Sequence, residues 1–179
     1  MKFIRRNHDG YILLEVLVTI VILVFGLLGL AGFQVRTSVV EQEAYQRVHA
    51  LVLVQDMVER IYANRINAAT YIQDNVGSSG TELTTCGTMT GMNKDICEWN
   101  NELVGASEVL GSSRVGALLG GLGCITQGAT NEYIVTVVWQ GLAPTVAPTV
   151  TCGQGNYGSE SLRRAVSMRV QIATLDAVP

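Results

Sequence analysis

Charge is nearly missing from residues 11–33. The stretch YILLEVLVTIVILVFGLLGLAGF holds Glu15 and no other Asp, Glu, Lys or Arg in 23 residues. That excludes an ordinary solvated element. A helix rising about 1.5 Å per residue crosses a hydrocarbon core roughly 30 Å thick over this length, so the segment reads as a membrane span. Basic residues are few as well: 12 Lys and Arg stand against 15 Asp and Glu, a formal charge of −3. No basic stripe interleaved with aromatics appears, which excludes nucleic acid as a partner. Histidine is confined to His8 and His49. Serines are plentiful, but no G-x-S-x-G elbow or plausible base accompanies one, so the chain reads as non-enzymatic. The carboxylates Glu82, Asp95, Glu98, Glu102 and Glu108 scatter over polar loops or a helix face and read as solvated. The four cysteines lack the close C-x2-C spacing of a zinc site, and no metal or cofactor is expected. Gly153, Gly155 and Gly158 lack the lysine of a phosphate loop and read as a turn or a partner surface.

What is present begins with Glu15 itself. A carboxylate inside a membrane helix costs roughly 2.5–3.5 kcal/mol on insertion scales and calls for a partner or a function. Ahead of it lies a ten-residue polar leader, MKFIRRNHDG. Its Lys2, Arg5 and Arg6 hold the amino terminus in the cytoplasm. Gly10 abuts the apolar run directly, the reverse of a secretory signal, in which the apolar region precedes the cleavage site. A cut after Gly10 would remove the basic leader, keep the span, and free an amine on Tyr11, four residues from Glu15.

G/YILLEVLVTIVIL resembles the leader and first segment of type IV pilins and of the pseudopilins of type II secretion. The resemblance implies cleavage after Gly10 by a membrane prepilin peptidase and N-methylation of Tyr11, which replaces the family's usual Phe. It also implies that Glu15 sets register by attracting the Tyr11 amine of a neighbouring subunit, a pairing that is strong in low dielectric. Within that group the chain is similar to the minor pilins called PilV, the type IV pilus modification proteins. The matching pieces are LLEVLVTIVILVFGLLGL, QDMVERIYANR, the Trp99 segment, EYIVTVVWQG, CGQGNYG and LRRAV. The implied partners are other minor pilins, the major pilin and a large tip adhesin. The implied location is the bacterial inner membrane, single-pass with the carboxy-terminal domain in the periplasm, and then the pilus. A minor pseudopilin of type II secretion stays open as an alternative, as does a membrane-anchored binding module that never polymerises.

The expected division is a leader at 1–10, a span at 11–33, an amphipathic helical continuation at 34–75, and an α+β region at 76–179. Loss of the leader takes three basic residues and one Asp, leaving 9 basic and 14 acidic residues and a formal −5. Residues 34–75 contain neither Gly nor Pro, so a helix can run through. Val40, Ala44, Val48, Leu51, Val54, Val58, Ile61 and Ile66 recur near helical spacing and predict its buried face. Glu43 with Arg47, and Asp56 with Arg60, are spaced as i,i+4 pairs on a solvated face. Gly26, Gly29 and Gly32 permit either close helix packing or local melting.

Beyond residue 75 the texture turns to Gly, Ser and Thr. Residues 95–104 predict a short helix capped by Asn93 or Asp95, with Ile96, Trp99 and Leu103 on one face. Residues 132–140 predict a strand with Tyr133, Val135, Val137 and Trp139 on one side. Residues 165–172 predict a second strand, setting Val166, Met168, Val170 and Ile172 against Ser167, Arg169 and Gln171. Pro144 and Pro148 mark a loop. The expected fold is α+β and type IV pilin-like, a long amino-terminal helix on a small antiparallel sheet. Cys86, Cys97, Cys124 and Cys152 would face the oxidising periplasm. Of the three possible pairings, Cys86–Cys97 and Cys124–Cys152 are preferred.

Overall fold

The computed structural model describes residues 9–106, 109–111, 113–114 and 116–173. Two compact units divide the chain, Met1–Gln42 and Glu43–Pro179. Helix α1 runs Asp9–Ala63. In the first unit every described side chain from Leu13 to Phe33 is exposed. This stretch bonds its own backbone, and none of its side chains is buried within the described chain.

The second unit is built on a four-stranded antiparallel sheet of order β1-β4-β5-β6, from β1 (Gln73–Val76), β4 (Leu122–Gln127), β5 (Glu132–Gln140) and β6 (Arg163–Gln171). A separate hairpin joins β2 (Val109–Leu110) to β3 (Ser113–Arg114). Period-two alternation gives β5 two apolar faces. One face presents Tyr133, Val135, Val137 and Trp139, and joins Ile125 and Val170 in a core sealed by residues 50–61 of α1. The other presents Val138, which packs with Leu122, Cys124, Cys152 and Tyr157. Ile96, Trp99 and Leu103 share the face of α2 (Gly91–Leu103) that closes the first core. The Trp99 indole donates from Nε1 to the Leu53 carbonyl at 3.0 Å. A Cβ on Gly123 would stand 2.2 Å from the Trp99 ring, so only glycine lets β4 pass beneath it.

Several expectations need correction. The helix expected over 34–75 ends at Ala63 and gives way to a 3₁₀ segment, Arg65–Tyr71, and then to β1. No Gly or Pro marks that end; long-range bonds do. Tyr71 is fully buried, receives a hydrogen bond from Asn64, and donates to Asp95 of α2, while β1 pairs with β4. Of the predicted helical face, Val54, Val58 and Ile61 are buried, but Val40, Ala44, Val48, Leu51 and Ile66 are exposed. The buried stripe is Ala50, Leu53, Val54, Met57, Val58 and Ile61. Helix α2 begins at Gly91 behind Thr90, whose side chain makes no capping bond, so neither Asn93 nor Asp95 is the cap. The strand expected over 165–172 runs Arg163–Gln171.

Candidate functional site

Gly10 and Tyr11 lie in the opening turns of α1, and Glu15 is exposed one turn further on. The segment that carries Glu15 includes an 18-residue window of mean hydropathy 2.8, none of it buried. It is long and apolar enough to cross a membrane. Its hydroxyl groups turn inward: Thr19 donates to the Val16 carbonyl at 2.8 Å, and Thr37 to the Phe33 carbonyl at 3.1 Å. Helical bonding with such back-bonding satisfies polar groups that lipid cannot. A Cβ on Gly26, Gly29 or Gly32 would meet nothing within 4 Å. No described residue of this chain therefore accounts for those glycines by packing.

In the second unit, charge gathers at a few built positions. Arg60, near the end of α1, meets Asp56 at 2.6 Å, Glu98 at 2.6 Å, Glu102 at 3.1 Å and Asp95 at 3.5 Å. Asp95, Glu98 and Glu102 were expected to be scattered and solvated, yet α2 brings all three onto one guanidinium. Burial opposes the charge on Arg60, but its bonds to Glu98 and Asp56 outweigh that and raise its pKa. The Arg60 bond holds Glu98 below the usual carboxylate range. Burial first, and the Asp95 bond next, push the Tyr71 hydroxyl up to about 12. Glu43 is likewise redirected. Instead of pairing with Arg47 it meets Arg164 of β6 at 3.2 Å, and it accepts from the Leu142 amide at 2.7 Å.

The loop between β5 and β6 is held by Arg163, whose side chain is 2% exposed. Its guanidinium donates to the carbonyls of Val150 (2.7 Å), Cys152 (2.9 Å) and Pro148 (3.2 Å), and to Glu160 (2.7 Å). The Gly155 amide and Arg163 together lower the Glu160 pKa. The structure joins Cys86 to Cys97 and Cys124 to Cys152. The second of these bonds ties β4 to the glycine turn, where Tyr157 donates to the Gly120 carbonyl at 2.8 Å. His49 is half-buried and stacks on Tyr45 with ring centroids 6.2 Å apart.

A cleft of about 420 Å³ lies among Gly77, Ser78, Leu103, Gly120, Gln140 and Tyr157, with no charged residue in its wall. It offers neither a general base nor an activated nucleophile. Among the described residues, no group of three or more His, Cys, Asp or Glu is placed to hold a metal ion. The arrangement presents an apolar helix and a cross-linked head, which suits assembly.

Residues 32–100, from the end of the apolar segment into α2, match the family model Tt1218-like, described as type IV pilin Tt1218. The match supports a type IV pilin-like family. The long helix and the four-stranded antiparallel sheet agree with its α+β fold. That family is structural rather than enzymatic, and residues 32–100 are what the match supports as a pilin domain. The apolar segment of α1 fits membrane anchoring and pilus assembly. Neither the curated proteins nor the solved structures contain a match to this chain.

Sequence reasoning paired Arg60 with Asp56, as observed, but missed its three partners on α2, and it missed Arg163 and the partnership of Glu43 with Arg164. A signal for the first was available. Positions 95, 98 and 102 fall on one helical face, and Asp56 and Arg60 are spaced i,i+4. Only Glu160, three residues back, is a local partner of Arg163; its other three partners are backbone carbonyls 11 to 15 residues away.

Proposed function

We propose that this chain is a minor pilin that helps prime type IV pilus assembly within a small complex of minor pilins at the pilus tip. The observation that carries the reading is one chain bearing both an exposed apolar helix with a lone Glu15 and, directly after it, a stretch at residues 32–100 that the type IV pilin model matches. Cleavage by prepilin peptidase after Gly10 and methylation of Tyr11 would place a cationic amine near the carboxylate of a neighbouring subunit. A charge pair formed in low dielectric is strong, and Glu15 without it is penalised, so the pair sets register. Residues 11–33 would leave lipid for neighbouring helices, which preserves their apolar surroundings. Residues 76–179 would face the periplasm and select the adjoining minor subunits, the major pilin and a large adhesin. The PilV-like pieces of the sequence support the minor role.

Mass spectrometry of sheared surface fibres and of inner membranes tests this reading. A peptide beginning at methylated Tyr11 is expected in the fibre fraction. Its confinement to membranes, with loss of exoprotein secretion on deletion, would identify a secretion pseudopilin instead. An intact leader in cells that possess the peptidase would overturn both.

A further inference from the structure

The four-stranded sheet has two edges, and only one of them is guarded. Strand β1 is four residues long, and its register with β4 shifts between Gln73 and Val76. A short, irregular edge resists the addition of another strand. Strand β6 runs nine residues in unbroken register with β5 and contains no Pro or Lys, and among the described residues no strand lies on its far side. The Ile172 amide donates to the Asn131 carbonyl and the Gly141 amide to the Leu162 carbonyl, so Ile172 and Leu162 direct these groups toward the β5 side. Successive residues of an antiparallel strand alternate in this respect. Ala165, Ser167, Arg169 and Gln171 therefore turn their N–H and C=O groups away from β5.

Side chains alternate as well. Val166, Met168, Val170 and Ile172 sit on the core side. Val170 is fully buried, yet Val166 and Ile172 are only partly covered and Met168 is exposed. The apolar layer thus stops short at β6. Just past the end of the strand, a cleft of about 530 Å³ opens among Arg65, Ile66, Ala69, Tyr133, Ile172 and Ala173. Ile66 in its wall is 92% exposed. On the outer side Arg169 is the sole charge between residues 165 and 171; it reaches Glu132 at 3.2 Å but keeps 76% of its side chain exposed.

We propose that the open edge of β6 receives an extended segment of a different polypeptide as an added strand, with apolar residues alternating toward Met168 and an acidic residue beside Arg169. A row of unpaired main-chain donors and acceptors selects a polypeptide, because another strand alone matches its spacing. Strand addition draws affinity from backbone bonds and selectivity from sites that take alternate side chains. Here residues 165, 167, 169 and 171 supply the first. The uncovered Val166 and Met168, with the cleft beside Ile66, supply the second. A second copy of β6 answers these features poorly: residues 163–171 hold three Arg and no Asp or Glu, so no side chain of the copy could neutralise Arg169. The inference concerns the sheet alone and does not depend on entry into a pilus.

The test titrates the purified full chain, in detergent micelles, with a fluorescent peptide that alternates threonine and valine around a central glutamate. Saturable binding is expected in the anisotropy, with a shift of an isotope-labelled peptide carbonyl to the infrared position of a paired strand. Ser167→Pro removes an outward N–H without removing a bond to β5, and should weaken binding about tenfold. The same peptide carrying N-methyl groups at alternate residues should not bind. Arg169→Glu should reverse the preference for a central glutamate over a central lysine. Absence of saturable binding, binding without the infrared shift, an unreversed preference, or equal affinity for the N-methylated peptide would overturn the proposal. So would equal affinity in a folded Ser167→Pro chain; if that variant does not fold, the N-methylated peptide decides. Dimerisation of the parent, captured by Met168→Cys as a disulfide between two β6 edges, would overturn the choice of a different polypeptide.

Discussion

Arg163 shows how one side chain can organise a loop. Its guanidinium answers three backbone carbonyls and Glu160, which would otherwise be left short of donors. Replacement by Met keeps much of the volume and removes every one of those bonds. Stripping a buried charge network of one partner costs about 3–5 kcal/mol, so Arg163→Met should lower thermal stability strongly. The same variant should raise protease cleavage between residues 141 and 152. Glu160 at the rim behaves differently. Its pKa is lowered, so its contribution is present above the ordinary carboxylate range and lost as pH falls through the folded pKa. Unfolding melts should therefore separate Glu160→Gln from the parent at neutral pH and bring the two together in acid. A gap that stays constant down to about pH 3 would contradict this account. Gly123 teaches the complementary lesson, since a hydrogen in place of a methyl is what admits the Trp99 ring.

Among the elements, α2 and the glycine turn depend on cross-links more than on their own propensities. Helix α2 has no side-chain cap at Thr90. Its Asn100 instead accepts from the Gly77 amide at 3.1 Å, and Asn101 accepts from the Leu83 amide at 2.7 Å, so the helix and the preceding loop brace each other. Cys86–Cys97 closes a separation of 11 residues within this piece, whereas Cys124–Cys152 closes 28 and also lies in the second apolar cluster. On the chain-entropy account these loops are worth about 3 and about 3.5 kcal/mol respectively. Paired serine substitutions at Cys124 and Cys152 should therefore cost more than the same change at Cys86 and Cys97, as read by denaturant midpoints. Hydrogen exchange should separate them by location: the first pair loosens β4 and the turn at 152–158, the second loosens residues 77–90.

At the scale of the whole molecule, the two units ask for different solvents. Every described residue that is buried lies at position 50 or later, while residues 13–33 bury nothing. A chain starting at Thr37 keeps Glu43 and the entire described core. It is expected to stay soluble without detergent and to unfold in one cooperative transition, whereas the full chain should need micelles. Aggregation of the shortened form, or a melt without a transition, would show that the head draws stability from the apolar segment.

Local chemistry determined a good deal by itself. The apolar run around Glu15, the alternation along β5 and the face of α2 with Ile96, Trp99 and Leu103 were all legible, because each depends on neighbours within a few residues. Tertiary structure decided the rest. It ended α1 at Ala63, turned the helix so that Ala50, Leu53 and Met57 rather than Val48 and Leu51 face the sheet, sent Glu43 to Arg164, and gathered three carboxylates onto Arg60. The reason is physical. A row of apolar side chains on a helix with several such rows can bury any of them, and an acid can pair with any base the fold brings near. The choice belongs to partners as far as 121 positions away in sequence.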